Sequence, residues 1–171
     1  FIVSVNFFLR KKFISIIDIK KKKLDFNSRY DAKERTYVYK ITNRKSNLIL
    51  DNNRAWLVKR KLNLRVLKQG AKLLKGTHDF STFRSSSCGA ESPIRTLEKV
   101  AVIKRESKIF ITFKSKSFLQ QQVRSMVGCL KFVGEKKWSL KKFKHVMNSQ
   151  KRINCAPPAP ARGLYLLKVF Y

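Results

Sequence analysis

Val100-Ala101-Val102-Ile103 and Ile109-Phe110-Ile111-Thr112-Phe113 are two β-branched and aromatic runs separated by the polar segment Arg105-Glu106-Ser107-Lys108. Two such runs with a short polar break predict a β-hairpin. Downstream the apolar period changes from two to about 3.6. Leu119, Val123, Met126, Val127 and Leu130 recur on one side of a segment beginning at Ser117, which predicts a helix capped by Ser117 and ending near Gly134. Ser139 caps a second expected helix carrying Leu140, Phe143, Val146 and Met147. The proline-rich stretch from Cys155 to Arg162 reads as a loop, and Gly163 to Tyr171 as a closing strand. Upstream, Phe13 to Ile19 and Arg35 to Ile41 read as strands, the second with Tyr37, Tyr39 and Ile41 on one face. Val66, Leu67, Ala71 and Leu74 predict a helix that stops at Gly76. Strands and helices intermixed, with hairpin-like connections, predict an α+β fold: an antiparallel or mixed sheet with helices packed on one face.

Composition narrows the partners. The 171 residues include 40 Lys+Arg and 10 Asp+Glu, a formal net charge of +30, with 43% hydrophobic residues. That apolar content suits a packed domain rather than a disordered basic tail. Self-repulsion on this scale is best offset by a polyanion, and nucleic acid leads; lysines drifting onto solvated surfaces are the plainer account of the same numbers. A membrane partner is not expected, because no apolar run approaches the roughly 20 residues of a span and no basic amphipathic helix suits a lipid surface. Cys88, Cys129 and Cys155 are widely spaced, and only His78 and His145 could join them. No metal site is expected from this set, and a reducing compartment, cytoplasm or organelle matrix, fits it.

Most catalytic kits are missing: there is no phosphate-binding glycine loop, no GxSxG and no HExxH. Two residues stand out. Arg124 falls beside the apolar stripe of its expected helix, one turn before Gly128, whose missing side chain lets another backbone approach that flank. Pointed into that contact, Arg124 needs a carboxylate; lying on the helix shoulder, it needs only water. Tyr37 and Tyr39 share a strand face near Arg29 and Arg35, a mixture that can hold an unstacked base while neutralising phosphates, or that can simply belong to a half-buried core face.

Four blocks then resemble one family in order. Phe26-Asn27-Ser28-Arg29 through Arg35-Thr36-Tyr37-Val38-Tyr39 is similar to the FxxR…A…RxYxY segment of the tRNA pseudouridine synthase A family, which modifies the anticodon stem-loop. Gly76-Thr77-His78-Asp79-Phe80-Ser81-Thr82-Phe83-Arg84 resembles its GxxDFS/TxFR block. Phe118-Leu119 through Val123-Arg124-Ser125-Met126-Val127-Gly128 resembles its F-L…V-R-x-M/I-V-G helix, and Ala159-Pro160-Ala161-Arg162-Gly163-Leu164-Tyr165-Leu166 its APAxGLYL close.

The resemblance implies a pseudouridine synthase-like fold and an enzyme that isomerises uridine to pseudouridine in tRNA. The base is flipped from the stack, its C1′–N1 bond is cleaved with the help of an aspartate, and it is rejoined through C5. It implies no cofactor and no metal, tRNA as partner, and a homodimer. Carried onto this chain, Tyr37 stacks on the flipped uracil, Arg124 pairs with the catalytic aspartate, and Arg29, Arg35 and Arg84 lie in the RNA-binding cleft. The aspartate itself belongs to a G-R-T-D-A-G block that does not occur between Phe1 and Tyr171, and Asp79 belongs to a separate block. The expectation is that residues 1–171 are the C-terminal part of the catalytic domain, inactive alone, the aspartate-bearing part lying upstream of a first residue that is not Met. The alternative is a non-catalytic RNA-binding remnant or a ribosome-associated basic protein.

Overall fold

The computed structural model describes residues 1–171, in two compact units, Phe1–Asp31 and Ala32–Tyr171.

In the first unit, α1 spans Ile2–Leu9 and a short 3-10 turn follows at Arg10–Lys12. The strand expected over Phe13 to Ile19 is not formed. Phe13 adopts a left-handed φ of 55°, outside the β region, and the Asn6 side chain takes both backbone groups of Ile16. The Asn6 amide donates to the Ile16 carbonyl at 2.8 Å and accepts from its N–H at 2.7 Å, replacing ladder bonds. β propensity becomes a strand only where a neighbour supplies that ladder.

The second unit is built on a mixed sheet. Its central strand is β1, Glu34–Thr42. The hairpin β5 (Lys99–Arg105) and β6 (Lys108–Ser115) pairs antiparallel along one edge of β1 through β6. Its loop is two residues, not the four suggested by polarity, because Glu106 takes the positive φ of 50° that a tight turn requires. The other edge of β1 is shared. The closing strand β7, Leu164–Phe170, runs antiparallel along Glu34 to Tyr39, and the short β2, Trp56–Leu57, runs parallel at Ile41 and Thr42. A second, two-stranded sheet pairs β3 (Gly76–Asp79) with β4 (Ile94–Leu97).

Three helices complete the unit: α2 (Leu64–Leu73), α3 (Gln122–Gly134) and α4 (Leu140–Asn148). Asn63 caps α2 through Val66 N–H, and Ser139 caps α4 through Lys142 N–H, as the Ser139 pattern predicted. The start of α3 is a correction. Ser117 is not its cap; the helix begins at Gln122, after Gln121 turns the chain with a left-handed φ of 66°. The Gln122 side chain reaches back to accept the Leu119 N–H at 2.8 Å, so Leu119 is buried from a loop rather than from the helix.

The sheet face with Tyr39, Ile41, Ile109, Ile111 and Phe113 shares one buried cluster with Leu67, Ala71, Val123, Met126, Val127 and Leu130 of the helices. Phe110 and Thr112, on the opposite face of β6, stay half-exposed. This is the α+β arrangement the sequence predicts, helices packed on one face of a mixed sheet. Each fully buried Phe or Leu in it contributes about 1.5–3 kcal/mol of transfer free energy. No helix is long and apolar enough to cross a membrane.

Candidate active site

Tyr37 and Arg124, 87 positions apart in sequence, line one cavity of about 340 Å³ together with Phe118, the three glutamines Gln120 to Gln122, Val123 and Leu164. The walls are backbone-defined. β1 presents Tyr37, the loop into α3 presents Phe118 and the glutamines, the first turn of α3 presents Arg124, and the start of β7 presents Leu164.

The two tyrosines of β1 have different lives. Tyr39 is fully buried, its hydroxyl donating to the Pro160 carbonyl at 2.6 Å and its ring edge-on to Trp56. Burial pushes its phenol well above the ordinary tyrosine range, against the pull of the Arg124 and Arg162 charges. Tyr37 is half-buried, edge-to-face with Phe118 at 5.1 Å between centroids, and reaches the cavity. The two rings therefore differ: Tyr39 is core, and Tyr37 is an aromatic wall of the cavity held by Phe118.

Arg124 is neither a free shoulder residue nor a paired one. Its Nε donates to the Ala159 carbonyl at 2.6 Å, and its own carbonyl accepts the Ala159 N–H at 3.0 Å. It forms no ion pair in this chain, and no carboxylate lines the cavity. A guanidinium fixed through Nε keeps its remaining donors for an anion entering from elsewhere.

Gly128 explains why the clamp closes. A Cβ there would collide with the Pro157 carbonyl oxygen, so the proline-rich loop lies directly on α3. Gly128→Ala sets a gain in helix propensity of about 1 kcal/mol against an overpacking cost of about 1–3 kcal/mol or more. The backbone oxygen cannot move aside as a side chain would, so a net loss is expected. The thermal midpoint should fall by roughly 2–8 °C, while Gly89→Ala, which meets nothing within 4 Å, should leave it unchanged. Equal melting of both variants would show that the loop is not held against α3.

The stretch from Gly76 to Phe83 serves the fold. Gly76 supplies a φ of 108° after α2, Asp79 accepts the Ser81 N–H at 2.7 Å, and Phe80 and Phe83 are fully buried. Asp79 is thus a turn cap. The remaining expected site residues are not gathered at the cavity wall. Arg84 is half-buried and donates to the Ala90 carbonyl at 3.3 Å, and Arg35 donates to the Lys116 carbonyl at 2.6 Å. Arg29 lies in the first unit, its guanidinium 5.5 Å from the Tyr30 ring centroid.

Sequence reading missed the glutamines. Gln121 Oε1 and Gln122 Nε2 are buried with no partner in the chain, and Gln121 holds a strained positive φ. Polar residues flanking an apolar stripe look like ordinary solvated positions; only the left-handed turn turns them inward.

A sequence profile of tRNA pseudouridine synthases matches residues 71–171. The chain is 54% identical over 168 residues to the tRNA pseudouridine synthase A of Pelagibacter ubique, an alignment covering 98% of this chain and 68% of that protein. It is 44% identical to the tRNA pseudouridine synthase A of Rhodopseudomonas palustris and 39% identical to that of Maricaulis maris, with the same coverage of each. The loop into α3, α3 itself and β7 fall inside the matched profile, β1 with Tyr37 lies before it, and the alignments with these relatives extend across nearly the whole chain: it belongs to the tRNA pseudouridine synthase family.

Proposed function

We propose that this chain supplies the uridine-binding half of a tRNA pseudouridine synthase active site, and that the catalytic aspartate comes from residues outside Phe1 to Tyr171. The carrying observation is the cavity itself: Tyr37 and an Arg124 without a carboxylate share it. Tyr37 offers its ring to the flipped base. Arg124, anchored by Ala159, holds the incoming aspartate ionised. The Leu119 N–H on Gln122 Oε1 fixes the orientation of that amide and leaves its Nε2 as a donor. Arg29, Arg35 and Arg84 contact the stem-loop phosphates. The homodimer and a cytoplasmic or organelle-matrix location belong to the same reading, the former checked by sedimentation of the intact enzyme.

The test uses tRNA tritiated at uridine C5, since joining C5 to C1′ releases that hydrogen. The 171-residue chain alone should bind the tRNA and release no tritium. Release by this chain would show that its own residues supply the nucleophile. Lack of release from an enzyme that also carries the aspartate block would instead favour a non-catalytic RNA-binding protein.

Affinity should come mainly from counter-ion release, given the net charge of +30. A log-log plot of binding against salt should slope steeply for tRNA and for unrelated structured RNA, with the anticodon stem-loop offset to tighter binding by a constant factor. Neutralising the exposed Lys20 to Lys23 should make that slope shallower; an unchanged slope would make those lysines solvated surface and leave the RNA contact to Arg29, Arg35 and Arg84.

A further inference from the structure

Cys129 and Cys155 lie 26 residues apart, on α3 and on the loop after α4, with sulfurs 3.5 Å from each other. Cys129 is fully buried and Cys155 is half-exposed, so only one thiol is open to a reagent. The surroundings of Cys155 favour its thiolate. With Cys129 donating the thiol–thiol hydrogen bond, which either sulfur could donate, the Arg152 charge and the Ser125 hydroxyl act in the same direction, against burial. Together they hold the Cys155 thiol below the usual range, while its bond to Cys155, and then burial, push Cys129 up. Arg152 is itself held in place, donating to Ser125 Oγ at 2.8 Å. Nothing in the proposed tRNA chemistry uses these groups.

We propose that Cys129 and Cys155 form a two-cysteine oxidation site, with Cys155 the entry thiol, Cys129 the resolving thiol and a small disulfide such as glutathione disulfide the oxidant. The Cys155 thiolate attacks one sulfur of glutathione disulfide and expels one glutathione thiolate. Cys129 then attacks the Cys155 sulfur of the mixed disulfide and expels the second glutathione. One glutathione disulfide is reduced to two glutathiones, two cysteine thiols are oxidised to one disulfide, and the two thiol protons pass to the glutathiones. The sulfurs need to approach by about 1.5 Å to reach bonding distance. The new bond ties the proline-rich loop covalently to α3, next to Gly128 and one turn beyond the Ala159 clamp on Arg124. In a reducing compartment such a bond is transient and reversible.

Peptide mapping of the folded wild-type chain after glutathione disulfide treatment tests this without a variant. The expected product is a Cys129–Cys155 linked peptide, with Cys88, the third free cysteine, carrying at most a mixed disulfide. Cys155 should react about tenfold faster than it does in the denatured chain. Cys129→Ser should trap the mixed disulfide at Cys155, and Cys155→Ser should leave Cys129 unmodified. A mixed disulfide that persists on wild-type Cys155, a linkage through Cys88, or a Cys155 rate equal to the denatured value would overturn the proposal.

Discussion

Arg124→Ala is expected to lower turnover by about 10²–10³-fold in an enzyme that joins this chain to the aspartate block, the scale expected when a preorganised charged donor is taken from a buried reacting group. Arg124 is held by Ala159 through Nε and faces a cavity with no carboxylate of its own. On the proposed pairing, removing the guanidinium would leave the entering aspartate without its counter-ion and raise its pKa. A raised carboxylate pKa means less of the ionised form at neutral pH and more as pH increases, so the Ala variant should recover part of its activity in alkaline buffer. Arg124→Lys keeps the charge and loses both the Nε anchor and the bidentate geometry, placing it between wild type and Ala. A pH-rate profile of the three enzymes checks the order. Wild-type turnover by Arg124→Ala across the pH range would mean that Arg124 serves only to bind the Ala159 carbonyl.

The four sequence blocks are scattered along the chain, yet three of them meet around this one cavity. Arg124 of the helix block clasps Ala159 of the closing block, Tyr39 beside Tyr37 bonds to Pro160, and Gly163 is bare where a Cβ would strike the Tyr39 ring. The block from Gly76 to Arg84 instead braces the helix layer, where Thr82 donates to the Val146 carbonyl of α4. Periodicity made β1, the hairpin, α2 and α4 legible, because each has a buried face and, for the helices, an Asn or Ser cap. It failed where one side chain overrode the pattern. Asn6 satisfies the backbone of Ile16 and removes a strand; Gln121 bends the chain and delays α3 by several residues. The short β2 and β4 were unreadable because two to four residues show no period, and their partners are set by tertiary contact. Arg124 was singled out by its place beside the apolar stripe, but its partner within this chain is a backbone carbonyl 35 residues away, and backbone partners leave no trace in composition.

Tyr37→Leu in the same enzyme should separate chemistry from binding. Leucine keeps apolar bulk at the cavity wall but loses the flat π-face, and with it the edge-to-face contact that Phe118 makes at 5.1 Å. One base stack is worth about 1–3 kcal/mol, while the phosphate contacts of a chain at +30 supply most of the affinity, so tRNA binding should weaken only several-fold. Turnover should drop by at least about 10²-fold, because a uracil that is not held flat on the Tyr37 ring misses the alignment its C1′ needs, and displacements near 1 Å carry losses of that size. Tyr37→Phe retains the ring and the Phe118 contact and should keep most of the activity. Parallel loss of binding and turnover in Tyr37→Leu would make the ring a general RNA contact. Intact turnover would return Tyr37 to the role its neighbour Tyr39 already fills, a core aromatic whose face never meets the substrate.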